Sequence, residues 1–361
     1  DIIWDVPTGS VEDIEANEDL QTFYYKQAGV SYAKSAKEAT EEISSEEATE
    51  VESEEETSEE VTYPITIEHA FGETVIESKP ERIATIGWEN QDTPLALGVA
   101  PVGVSAANYG LVTDNNLHLW TDEAFADLGV EKPVVFDDVD GLDFEQISDC
   151  NPDVILAAYS GMTQEDYDTL SQIAPVIPYK EKAWQTSWRE QTIENAEGMG
   201  MKSEGEKKVK EVEELIAEKL EEYPQLEGIP TAFCWISADD FSTFYVYLPA
   251  DPRAAYLLDL GFTLPESVQK LAGETDDFNI TVSRENADQL DDIQLMVVYG
   301  DEDLLKSLQE DKLMSQIPAI KNGAVALVDS TSALAGACTP SILSIPYEID
   351  EYLQLLSDAA E

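Results

Sequence analysis

Four arginines, two histidines and two similarly placed glutamates bound the chemistry open to this chain. With only His69 and His118, an ion site built from several imidazoles is excluded. No two of the cysteines Cys150, Cys234 and Cys338 stand at zinc spacing, and Cys234, inside an apolar run, reads as a buried small hydrophobe. No His-Glu-x-x-His, Gly-x-Ser-x-Gly or phosphate-binding Gly-x-x-x-x-Gly-Lys run occurs. His69 falls in an expected hairpin and His118 in a polar loop, both expected at the surface and neither beside a nucleophile. Carboxylates are so abundant that no pair stands out for acid–base work. The reading is a protein that is not an enzyme, with no intrinsic cofactor and no protein-ligated metal.

The glutamates carry more information. Glu145 opens the run Glu-Gln-Ile-Ser-Asp-Cys-Asn-Pro-Asp-Val-Ile-Leu-Ala-Ala-Tyr159, and Glu285 opens Glu-Asn-Ala-Asp-Gln-Leu-Asp-Asp-Ile-Gln-Leu-Met-Val-Val-Tyr299. Each passes from a short helical piece through an Asp-rich turn into an apolar strand, and the Glu-to-Tyr separation is fourteen residues in both. Between them lies Ser203–Tyr223, where Val209, Val212, Ile216 and Leu220 recur at spacings of three and four, with Leu215 widening the stripe. Ser203 and Glu206 suggest a capping box at its start, and Pro224 helps to end it. A repeat placed about a stiff amphipathic helix predicts two similar α/β lobes.

Short apolar runs alternating with helical patterns predict mainly parallel, covered sheets. In the first lobe, a hairpin around Phe71-Gly72-Glu73 precedes strands at 83–87, 101–105, 134–136, 154–158 and 175–178. In the second, strands are expected at 231–236, 243–247, 293–299 and 324–328, with a C-terminal helix over 346–358. The fold class is thus α/β: two Rossmann-like lobes joined by one long helix. The expected boundaries are 1–62 for an acidic leader, 63–190 and 225–361 for the lobes, and 191–224 for the linking helices.

The net charge of -56 is extreme, and residues 1–60 carry 19 acids against 3 bases. Twelve glutamates in residues 38–60 leave too little apolar surface to offset chain entropy, so the leader is expected to be a disordered spacer. So acidic a surface repels phosphate backbones and anionic lipid, which argues against nucleic-acid binding. No run of eighteen apolar residues occurs, and a chain beginning at Asp1 is expected to have lost a signal segment.

The runs His-Ala-Phe-Gly72, Lys-Pro-Glu-Arg-Ile83 and Leu-Ala-Leu-Gly-Val-Ala-Pro-Val-Gly-Val104 resemble the opening of iron–siderophore substrate-binding proteins of ABC importers, a family with haem- and cobalamin-binding members. The resemblance continues through Phe244-Tyr-Val-Tyr247, Asp251-Pro-Arg253, Leu258-Asp-Leu-Gly-Phe262, Ser283-Arg-Glu-Asn286 and Ser344-Ile-Pro-Tyr347, and covers 63–361. It implies capture of a ferric siderophore between the lobes and delivery to a permease with its ATPase, iron(III) arriving inside its chelator. It also implies an extracytoplasmic, monomeric protein whose membrane attachment is confined to an N-terminal lipid anchor. In that family a glutamate on each lobe docks in arginine pockets of the permease, and the matching positions are Glu145 and Glu285. Candidate ligand-wall residues at strand ends are Trp88, Asn90, Tyr109, Trp120, Tyr159, Trp184, Trp188 and Arg189 in the first lobe. The second lobe offers Trp235, Phe244, Tyr247, Arg253 and Tyr299. The scarcity of bases favours a neutral or cationic chelate of hydroxamate type. The alternatives are haem or cobalamin in the same fold, haem drawing on Tyr109, Tyr159 or Tyr247 for ligation, and a chelatase- or lyase-like metal enzyme on paired α/β lobes.

Overall fold

The structure is a computed structural model that describes residues 61–138 and 141–361. Of the acidic leader expected over 1–62, residues 1–60 lie outside the described residues. A hairpin of β1 (Ile65–His69) and β2 (Gly72–Ile76) precedes two five-stranded sheets. The first contains β3 (Ile83–Thr85), β4 (Gly103–Ser105), β5 (Val135–Phe136), β6 (Val154–Ala157) and β7 (Val176–Pro178), in spatial order β5-β4-β3-β6-β7. The second contains β8 (Thr231–Trp235), β9 (Thr243–Tyr247), β10 (Asn279–Ser283), β11 (Leu295–Tyr299) and β12 (Val325–Val328), in order β10-β9-β8-β11-β12. Counted within each sheet, the two orders are the same.

All pairings in the first sheet are parallel. The second sheet is mixed: β8, β11 and β12 run parallel, and β9 is antiparallel to both β8 and β10. Only Ile236–Ser242 connects β8 to β9, too short for the helical crossover a parallel neighbour needs. The central strands are buried on both faces, which is why they read as unbroken apolar runs. Val154 and Leu156 of β6 enter one core while Ile155 and Ala157 enter another; Val297 and Met296 of β11 divide likewise. Each sheet therefore has its own pair of cores.

The connection between the halves is made by two helices. Trp188–Gly198 is capped by a Ser187/Glu190 box and leads into the long helix Lys202–Leu220. Val209, Val212 and Ile216 are buried as the spacing predicts, but Ser203 does not cap the long helix. Its N-cap is Met201, two residues earlier. The buried face also includes Gly205, where a Cβ would lie 2.5 Å from the Cβ of Ala196. That close crossing lets the two helices pack as one unit. The long helix shares its core with Phe233, Leu295 and Tyr352 of the second half.

Candidate functional site

In open α/β sheets ligands collect where the strand order reverses, beyond the carboxyl ends of the strands. That point is β3/β6 in the first sheet and β8/β11 in the second. A cavity of about 280 Å³ lies there, lined by Trp88, Tyr109, Tyr159 and Trp184 from the first half. Arg253, Phe278, Tyr299 and Thr339 close it from the second half. An adjoining space of about 290 Å³ shares Trp88 and Trp184 and runs into the first half past Ser105, Asp138 and Ser160.

Local structure explains how the walls are held. Gly87 has φ +82°, and a Cβ there would fall 2.7 Å from the Tyr159 carbonyl oxygen. Its absence lets the Trp88 amide donate to that carbonyl at 3.1 Å, joining the ends of β3 and β6. Asn90 completes the join: its amide donates to the Ile86 and Tyr159 carbonyls, and its oxygen accepts from the Tyr159 amide at 3.1 Å. Trp184 meets Tyr159 edge to face at 5.3 Å.

Six of the expected wall residues meet in the cavity: Trp88, Tyr109, Tyr159, Trp184, Arg253 and Tyr299. Tyr247 supports the wall, its ring lying 4.2 Å beneath the Arg253 guanidinium. The remaining six are not brought to the cavity. Asn90 is fully buried and acts through Tyr159. Trp120 is buried because its indole donates to Asp92 at 2.9 Å. Trp188 is buried and donates to Asp259 at 3.0 Å. Arg189 lies over the Trp188 ring and bridges Glu213 and Asp259, fastening the linking helices to the second half. Phe244 faces the core by strand alternation. Trp235 is exposed and pairs with Tyr245, outside the cavity lining. Phe278 and Thr339 had no signal in the sequence, since each sits in a loop joined to the cavity only by tertiary packing.

Electrostatically the cavity is quiet. Among the described residues, Arg253 is the only basic one in its lining. Burial alone would lower the Arg253 pKa, but bonds to the Asp251 carboxylate hold it well above the usual value. Burial pushes the Tyr109 phenol up to about 12 and also raises those of Tyr159, Tyr247 and Tyr299. These tyrosines stay neutral hydrogen-bonding groups.

Neither histidine lies at the surface, contrary to the expectation from the sequence. His69 is buried against Thr74 and Tyr167, and His118 is buried behind the cavity wall. His118 Nε2 lies 2.9 Å from the Tyr109 carbonyl, which can only accept, and Nδ1 lies 3.0 Å from Glu89. Asp92 beside them accepts from Trp120, Thr121 and, from the other half, Ser341 at 2.5 Å. This polar junction ties the halves together directly behind Trp88, whose ring meets His118 at 5.3 Å.

Glu145 and Glu285 are both exposed, each in the first turn of a short helical segment, Phe144–Asp149 and Arg284–Gln289. The burial pattern over the six residues from each glutamate is the same, and each segment leads to the fourth strand of its sheet.

Two α/β halves of matching strand order, fixed by rigid helices and enclosing an aromatic cavity, define a two-lobed ligand-capture protein. The chain belongs to the periplasmic binding protein family, whose model matches residues 83–331. PiaA of Streptococcus pneumoniae TIGR4, solved in complex with ferrichrome, is similar at 48% identity and a TM-score of 0.79, covering 82% of this chain and 98% of that one. The petrobactin-binding protein YclQ of Bacillus subtilis (strain 168) is 24% identical over 305 residues, 80% of this chain and 88% of its own. SirA of Staphylococcus aureus, complexed with staphyloferrin B, shares the fold at 23% identity and a TM-score of 0.63, covering 81% of this chain and 98% of its own. These relatives are substrate-binding proteins rather than enzymes.

Proposed function

We propose that this chain captures a neutral or cationic ferric siderophore of hydroxamate type between its halves and delivers it to an ABC permease. The observation that carries this reading is the cavity: rigid aromatic walls from both sheets around one arginine whose charge is already matched by Asp251. Aromatic side chains supply large contact area at low entropic cost, suited to the organic shell of a preassembled chelate. The 48% identity to a protein solved with ferrichrome supports the same ligand class. In this reading the metal travels inside its chelator, and the buried, neutral tyrosines serve as hydrogen-bonding groups to its organic shell. The exposed carboxylates of Glu145 and Glu285 suit bidentate docking to permease arginines. The protein works outside the cytoplasm as a monomer, held to the membrane by a lipid at its N-terminus.

Thermal stabilisation by a panel of chelates tests this. Ferrichrome and ferrioxamine B should raise the melting temperature in proportion to the logarithm of their concentration, while haem and cobalamin should not. Stabilisation by haem or cobalamin alone would overturn the reading.

A further inference from the structure

We propose that Asp251 sets the charge selectivity of the cleft by neutralising Arg253 while leaving part of the guanidinium free to bind a ligand. The inference rests on the siderophore reading above and assigns its selectivity to a residue outside the cavity lining. Asp251 Oδ1 accepts from Arg253 Nε at 2.8 Å, and Oδ2 accepts from Nη2 at 2.7 Å. Oδ1 also accepts the Arg253 backbone N–H at 2.9 Å, capping the helix Pro252–Asp259. The Asp251 side chain is 1% exposed, against 21% for Arg253. The carboxylate is thus sealed behind the arginine, which alone reaches the cavity.

A guanidinium carries five N–H donors in one plane. The ion pair uses the Nε–H and one Nη2–H, so three remain, and the Tyr247 ring 4.2 Å below fixes their plane. Those donors can bond the oxygens of a ferric trihydroxamate, which has no net charge to be matched. A ferric tris-catecholate carries three negative charges and would find a pair of net charge zero. Among the described residues, no other base lines the cavity or the space adjoining it. The device therefore offers hydrogen-bond geometry without net attraction, and it resides in the Asp251-Pro252-Arg253 run.

Removing the Asp251 charge should expose a full positive charge to the cavity. Asn preserves helix capping, so Asp251→Asn is the direct perturbation. Affinities for ferrichrome and for ferric enterobactin would be measured by tryptophan quenching at several salt concentrations. The expected result is a rise of roughly tenfold or more in the enterobactin-to-ferrichrome affinity ratio, with a new salt dependence confined to the trianion. Arg253→Gln, which leaves the carboxylate unmatched, should move the ratio the opposite way, so the test survives if the first variant fails to fold. The double variant Asp251→Asn/Arg253→Gln should return the ratio near its original value. A ratio unchanged in whichever single variant folds overturns the inference. Failure of the unmodified protein to bind ferrichrome would instead sink the siderophore reading.

Discussion

The junction of Glu89, His118, Asp92 and Ser341 makes a definite prediction about pH. The Tyr109 carbonyl fixes a hydrogen on His118 Nε2, so the 3.0 Å contact between Nδ1 and Glu89 is attractive only with one further proton between them. Burial raises the Glu89 pKa well above its usual value and lowers that of His118, directions that favour one proton on the native pair above the pH at which the free groups lose it. In the unfolded chain the pair binds two protons below about pH 4.5, one up to about 6.5 and none above. Its contribution is therefore greatest between those values and falls as pH rises past 6.5, where the native state holds the extra proton. One proton corresponds to about 1.4 kcal/mol per pH unit, which is the steepest loss the pair can contribute above pH 6.5 while it holds its proton. Asp92, raised to about 7 by burial and the Glu89 charge, loses its own contribution in the same direction at lower pH. Glu89→Gln replaces the shared proton with an amide that donates to Nδ1 without titrating. Denaturant melts of both proteins at pH 6.5 and 8 should show the unmodified protein losing more stability than the variant, by at most about 1.4 kcal/mol per pH unit. Glu194 and Glu348, also raised, titrate in both proteins and cancel in the difference. Equal losses would refute the shared proton.

Three further outcomes are expected. Glu145→Ala/Glu285→Ala should leave ferrichrome affinity unchanged while uptake by cells falls; undiminished uptake would remove the docking role. Trp184→Ala, deleting a wall shared by the cavity and its adjoining space, should weaken ferrichrome binding by about 2 kcal/mol, roughly thirtyfold, in a quenching titration. Gly205→Ala should destabilise the fold by about 1 kcal/mol in a denaturant melt, because the clash with Ala196 outweighs the better helix propensity. A stabilised variant would show that the helices do not cross so closely.

The sequence made the duplicated architecture legible through residues with a local signal. The strands announced themselves as apolar runs, and the matched stretches from Glu145 and Glu285 fell in equivalent places of the two sheets. What stayed hidden depended on partners far along the chain. β10 was missed because Asn279–Ser283 is a half-buried edge strand without a strong apolar run. His118 reads as a loop residue until Glu89 and the Tyr109 carbonyl enclose it. Trp120, Trp188 and Arg189 look like ligand walls because their types suit one, yet Asp92, Asp259 and Glu213 claim them for structure. Asp251 was noticed only as part of a motif, and its bond to Arg253 shows why the acid matters.

Capture of a hydroxamate chelate in the interlobe cavity is tested most directly by isothermal titration of the full chain with ferrichrome. One site per chain is predicted, with binding weakened at least tenfold by Trp88→Ala, a residue that lines both spaces. Ferrichrome binding of equal strength to the variant, or no saturable heat at all, would contradict the account.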